Sequence, residues 1–179
     1  MTRGLTKDGR NFTIRKPTVD DAENLIRYSK IVFASTDQLL TTPEEYIQSV
    51  DQQKIWITES LENPTKIILL AELNNQLVGL LFFAAETKKK NLHTGEFGVS
   101  VHPIYQGIGI GRLLIETLIK WTSSNIQIEK IFLQVFATNV NAISLYKRMG
   151  FIEEGRHVKA AKQMNGEYID IIQMYREVK

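Results

Sequence analysis

The chain contains no cysteine. Disulfides, cysteine-ligated zinc and any covalent relay through a thiol are therefore excluded, and a reducing compartment is compatible with the composition. Histidine is scarce as well. His93, His102 and His157 lack the spacing of a metal-ligand set, so no metal is expected. The net charge is only +2, too little to imply a nucleic-acid partner. Long apolar runs are missing. The longest, Leu77 to Ala85, falls far short of the ~20 residues of a membrane span and contains Gly79. The first residues carry no apolar signal region, so a cytoplasmic location without a membrane partner is expected. No repeat, low-complexity segment or linker divides the 179 residues. The expectation is a single domain over 1–179, with a polar and loose segment at 1–10.

What the chain does have is a stretch from Val99 to Leu114, V-S-V-H-P-I-Y-Q-G-I-G-I-G-R-L-L. Phe97, Val99 and Val101 alternate with Gly98 and Ser100, which reads as a strand, and Pro103 stops it. Glycines follow at 107, 109 and 111. Then Leu113, Leu114, Ile115, Leu118 and Ile119 mark the buried face of a helix. The first N–H groups of a helix have no internal partners and lie at the positive end of its dipole. Glycines before them let a bulky anion approach, which suits a pyrophosphate.

Two familiar phosphate motifs fail here. A dinucleotide fingerprint needs glycine or alanine where Arg112 or Leu114 stands, and Glu129 opens the following strand instead of closing it. A P-loop needs G-K-[ST], but Gly111 is followed by Arg112 and Leu113. What fits is Q-x-x-G-x-G, read as Gln106, Gly109 and Gly111. This resembles the acyl-CoA-binding signature of the GNAT superfamily of N-acetyltransferases.

Along the chain, Asn11 to Lys16 reads as a strand, and a helix runs from a cap-like Asp20 with Glu23 to about Ala34. Thr42-Pro43-Glu44-Glu45 predicts the start of a second helix, ending before Asn63-Pro64. Strands Thr65 to Leu73 and Gln76 to Thr87 are joined by Asn74-Asn75. Lys88-Lys89-Lys90 is a solvated loop. A strand over His93 to Val101 leads into the glycine turn, and a third helix spans Arg112 to about Asn125. Glu129 to Ala137 is a strand, and Asn139 to Met149 a fourth helix ended by Gly150. Phe151 to Lys162 and Glu167 to Tyr175 form a hairpin across Asn165-Gly166. This order predicts an α/β sandwich: a mixed, mostly antiparallel sheet of about seven strands with helices on both faces.

The opening F-T-I-R-K-P-T-V-D-D-A-E-N-L resembles the first strand and helix of many GNAT enzymes. The run from Phe136 to Phe151 is similar to the family segment N-x-x-A-[IV]-x-L-Y-x-x-x-G-F, with Asn139, Ala142, Leu145, Tyr146, Gly150 and Phe151 in place. The terminal run N-G-E-Y-I-D-I-I-Q-M-Y resembles the last hairpin of branches that acetylate protein N-termini, polyamines or small amines. The resemblance implies the GNAT fold, acetyl-CoA as acyl donor, and a primary amine as acceptor. It does not name the amine, and it leaves room for a homodimer.

Acetyl transfer to an amine sets chemical demands. A lysine-type amine has a pKa near ~10.4, so a base must take a proton before attack. The thioester oxygen needs N–H donors, and the leaving thiolate needs an acid. Without cysteine, direct attack in a ternary complex is expected. Gly107, Gly109 and Gly111, with the N–H groups of Ile108, Ile110 and Arg112, are expected to hold the pyrophosphate, and Gln106 either helps or is only a polar loop residue. The resemblance implies that Val99, Val101 and Asn139 offer polar groups to the pantetheine arm. Asn139 is alternatively a helix N-cap, with Asn141 the better pure cap. Tyr146 is either a packed core residue or, as in the family, the acid beside the thioester sulfur. Glu96, opposite the apolar face of its strand, is either the base or an ion-pair partner. His102 reads as a surface residue, and Tyr46 and Trp56 either line an acceptor pocket or pack. A second reading is a non-catalytic acyl-CoA sensor, and a third is a nucleotide-binding module, which the failed fingerprints disfavour.

Overall fold

The computed structural model describes residues 1–179. Eight strands form one sheet in the order β1-β2-β3-β4-β5-β6-β8-β7. They are β1 (Thr2–Leu5), β2 (Asn11–Arg15), β3 (Lys66–Leu73), β4 (Gln76–Ala85), β5 (Thr94–Val101), β6 (Lys130–Phe136), β7 (Ile152–Lys162) and β8 (Tyr168–Glu177). The helices are α1 (Ala22–Ala34), α2 (Val50–Glu62), α3 (Ile110–Ser124) and α4 (Val140–Arg148). All neighbouring strands are antiparallel except β5 and β6.

Strand β3 shows why helices cover both faces. Its near-continuous apolar run splits with period two. Ile67, Leu69, Ala71 and Leu73 join the larger core with Ile110, Leu114 and Leu118 of α3 and Tyr146 of α4. Ile68 and Leu70 turn the other way, against Leu25 of α1 and Ile57 of α2. The β3–β4 hairpin turns on Asn74 and Asn75, both at positive φ (51° and 61°), as a two-residue hairpin of asparagines predicts. The fold class is therefore as expected, with eight strands in place of about seven.

The eighth strand is a correction. Residues 1–10 are not loose: Thr2 to Leu5 pairs with β2. Gly4 lies so close to Phe12 and Leu113 that a Cβ there would come within 2.4 Å of the Leu113 side chain. The helix starts also differ. Thr42 and Glu45 do exchange hydrogen bonds, Thr42 N–H to the Glu45 carboxylate at 2.9 Å, but these close only a turn. Tyr46 leaves that turn to stack on Phe33 of α1, with ring centroids 4.9 Å apart. A tertiary contact thus outweighs a local helix signal, and α2 begins instead at a complete capping box between Ser49 and Gln52. Asp20 is not the cap of α1 and stays exposed. Asp21 accepts the Thr18 N–H at 2.7 Å and two bonds from the Arg15 guanidinium at 2.8 Å.

The feature that positions the site is the meeting of β5 and β6. Their parallel pairing lasts from Thr94↔Lys130 to Glu96↔Phe132 and then stops. Beyond it β5 stays with β4 as far as Val101↔Gly79, while β6 follows β8 to Phe136↔Ile171. The two strands diverge, and a wedge opens in the sheet. No helix is long and apolar enough to cross a membrane.

Candidate active site

One flank of the wedge is the backbone of β5. His102 N–H donates to Val78 O of β4 at 2.9 Å. Polar backbone groups alternate in direction along a strand, so those of Val99 and Val101 point the other way, into the wedge. Their side chains pack onto the larger core. The N–H and C=O of Val99 are a free edge on which an extended chain can add. The Gln106 Nε2 donates to the Val101 carbonyl at 3.1 Å and ties the turn to the strand.

The glycine turn closes the wedge. Gly107 and Gly109 have φ of 75° and 104°, a region where side chains are strained, and nothing lies within 4 Å of a Cβ placed on either. Gly109 is the N-cap of α3, and the first helical hydrogen bond is Leu113 N–H to Gly109 O at 3.2 Å. The N–H groups from Gly107 through Arg112, those of Ile108, Ile110 and Gly111 included, have no partner in the chain. Together with the helix dipole they form a ready anion site. Lys7, in the turn after β1, donates its N–H to Ile108 O at 3.0 Å and so braces the loop from below. The Arg112 side chain pairs with Glu116 at 2.8 Å on the surface of α3. Beyond it runs a groove of about 780 Å³, lined by Lys120, Arg148 and Arg176 as well as Arg112.

Across the wedge stands α4. Asn139 is its N-cap, accepting the Ala142 N–H at 3.2 Å, and Asn141 lies inside the helix, so the preference for Asn141 as the cap is corrected. Tyr146 is 8% exposed and packs edge-on against Phe97 (6.3 Å) and Phe151 (5.9 Å). Its hydroxyl bonds no protein group, and burial pushes its pKa up to about 12. Such a phenol stays protonated at neutral pH and keeps a proton to donate. The contact with Phe97 places it at the fork, because Phe97 is the first β5 residue past the last β6 pair.

Glu96 is the last paired residue before the fork, and its side chain points to the opposite face, that of α1 and α2. It has no ion-pair partner. Partial burial, and next the charge of nearby Glu86, raise its pKa above the usual carboxylate range. The same face holds Ser100, whose Oγ lies 3.0 Å from the hydroxyl of Tyr28 on α1. Phe82 of β4 sits directly over Gly98, where a Cβ would fall 2.5 Å from its ring. From Phe82 a cavity of about 400 Å³ opens between α1 and α2. Both Tyr46 and Trp56 line it, so these residues wall a pocket as well as pack. The loop carrying Tyr46 is tied down by Thr138, whose Oγ1 donates to Gln38 at 3.0 Å, and by Gln163, whose Nε2 donates to Asp37 O at 3.0 Å. His102 is half-buried, with an unpartnered Nδ1, and stacks on Tyr105 at 5.5 Å.

Sequence reasoning reaches only Tyr46 and Trp56 of this cavity, because its other walls come from residues far apart in the chain. Gly98 was a usable signal, since a glycine inside a strand marks a close approach.

A wedge ending in a turn of unpartnered N–H groups, with a buried phenol on one face and a carboxylate and cavity on the other, invites comparison. The profile of the Acetyltransferase (GNAT) family matches residues 33–151. This chain belongs to the GNAT family of acetyltransferases. It is 27% identical over 160 residues to an L-amino acid N-acetyltransferase of Escherichia coli, covering 87% of this chain and 98% of the relative. It is 30% identical to a spermidine N(1)-acetyltransferase of Vibrio cholerae, over 74% of this chain and 75% of that one. A crystal structure of a GNAT-family acetyltransferase from Streptococcus pneumoniae superposes with a TM-score of 0.90 at 26% identity, covering 93% and 99% of the two chains. As a GNAT protein, the chain carries its family's fold over nearly its whole length.

Proposed function

We propose that this GNAT domain, residues 1–179, is a cytoplasmic N-acetyltransferase that moves the acetyl group of acetyl-CoA to a primary amine. The observation that carries the reading is the wedge. It offers a free strand edge to the amide-bearing pantetheine arm and ends at six unpartnered N–H groups that suit a pyrophosphate. The basic groove beyond Arg112 then receives the nucleotide end. The relatives' activities, on amino acids and on spermidine, support amine acetylation without choosing the amine.

The division of labour follows from the fork. Glu96 and Phe97 are adjacent in sequence and point to opposite faces. The acceptor enters from the cavity on the Glu96 side. Glu96, directly or through water, takes the ammonium proton. The amine nitrogen attacks the thioester carbonyl carbon, and the oxygen's growing charge is met by N–H groups facing the wedge. The tetrahedral intermediate collapses: the nitrogen gives up its second proton to solvent, the C–S bond breaks, and the departing thiolate takes the proton of the Tyr146 hydroxyl from the other side. The tyrosinate regains a proton from solvent. A sensor that only binds acyl-CoA has no use for a buried phenol without a protein partner at the fork. The test is thermal denaturation. Acetyl-CoA and CoA raise the melting temperature by mass action, while NAD and ATP do not. No shift at millimolar acetyl-CoA contradicts the cofactor assignment.

A further inference from the structure

The identity of the amine is written in the chemistry of the 400 Å³ cavity. Its walls include two aromatic pairs, with the exposed Gln48 and Gln52 at the side of α2. Phe33 and Tyr46 lie 4.9 Å apart, and Trp56 meets Phe82 edge-on at 6.2 Å. No lysine, arginine or histidine lines it. Its one carboxylate, Glu59, is already joined to Lys66 at 3.2 Å. An acceptor with a free carboxylate would bury that charge opposite no cation. A second ammonium would compete with Lys66 for a shared carboxylate.

Two polar side chains in these walls are unusual. Ser29 is 8% exposed and Gln53 is 6% exposed, and both line the cavity. Neither side chain hydrogen-bonds another group of the protein. Their polar atoms are not sealed from solvent, so they remain free to bond a ligand in the cavity, and a primary amide offers one acceptor and two donors. The complement of a glutamine amide and a hydroxyl between aromatic walls is a neutral amide attached to an apolar side chain.

Resting on the transferase reading, we propose that the acceptor is an α-amino carboxamide with an apolar side chain. Its side chain lies between the aromatic pairs, and its carboxamide bonds Gln53 and Ser29. The same chemistry is offered by an amino-acid amide and by the first residue of a peptide.

The experiment measures thiol release by the wild-type enzyme at saturating acetyl-CoA, with rates referred to the concentration of unprotonated amine. The acceptors are phenylalaninamide, the tripeptide Phe-Ala-Ala, phenylalanine, phenethylamine and spermidine. The expected kcat/KM for phenylalaninamide or the tripeptide exceeds that for phenylalanine and spermidine by about tenfold or more. The better of the two amides identifies the source. Gln53→Leu is expected to lower the phenylalaninamide rate by about tenfold and to leave phenethylamine within about twofold, because the latter has no amide to lose. Ser29→Ala serves the same comparison if Gln53→Leu does not fold. Phenylalanine or spermidine matching the amides overturns the proposal while leaving the transferase intact. So does an equal loss on both amines in the variant. No thiol release with any acceptor overturns the transferase reading itself.

Discussion

Replacing Tyr146 by phenylalanine separates an acid at the fork from a tyrosine of the core. The ring contacts with Phe97 and Phe151, at 6.3 and 5.9 Å, survive the change. The lost hydroxyl has no protein partner, so no buried donor or acceptor is orphaned. The stability change is therefore expected within about 1 kcal/mol, on either side of zero. Acetyl-CoA binding is also expected to persist, since the glycine turn and the β5 edge are untouched. Turnover is not. Loss of a positioned acid costs about 10²–10⁴-fold, equivalent to roughly 3–5 kcal/mol in the barrier. The loss falls on kcat and kcat/KM together, as for an interaction made only in the transition state. It shrinks with an acyl donor whose thiol has a lower pKa, because a better leaving group needs less help. The assay is thiol release under conditions shown to be limited by chemistry. A Tyr146→Phe variant with normal kcat would refute the argument and return the residue to the core.

Other perturbations test other parts of the account. Gly109→Val places a β-branched side chain at a φ of 104° and over the free N–H groups. It should abolish the thermal shift with acetyl-CoA, as calorimetric titration would also report. Glu96→Gln should lower kcat/KM most near neutral pH, with the deficit narrowing as the amine deprotonates itself. In the wild type the acidic limb of the profile should lie above the ordinary carboxylate range, because burial and Glu86 raise the Glu96 pKa. An unchanged profile in the variant removes Glu96 from the reaction. Asp21 is held below its ordinary pKa chiefly by its bonds to Arg15. Its stabilisation is thus complete above the unfolded carboxylate pKa and is lost as pH falls through the folded value. Asp21→Asn should cost about 1–3 kcal/mol in urea unfolding at pH 7 and progressively less below pH ~4.

The parts of the site that the sequence displays are those built from consecutive residues. The strand, glycine turn and helix from Phe97 to Leu118 follow from periodicity and backbone freedom over a short stretch. Tyr146 on α4, and Asn139 and Gly150 at its two ends, likewise stand at readable spacing. The parts it conceals depend on contacts between distant residues. Strand β1 offers only T-R-G-L, and it exists because β2 pairs with it and Gly4 admits Phe12 and Leu113. Thr42 announces a helix that Tyr46 forgoes for Phe33. Nothing in the motif announces that the Gln106 amide reaches back to the Val101 carbonyl. Ser29, Gln53 and Phe82 carry no local mark of a binding cavity, because their elements meet only once the sheet is built.

The central claim is transfer, beyond mere binding, of an acetyl group from CoA to an amine without a covalent enzyme intermediate. Mass spectrometry of a reaction with acetyl-CoA and a panel of primary amines tests it most directly. The account predicts acetylated amine and free CoA in equal amounts, no acetylated protein species, and no CoA release when the amine is omitted. Acetyl-CoA that binds tightly but stays intact with every amine, or acetyl-enzyme that accumulates before the amine is added, would contradict it.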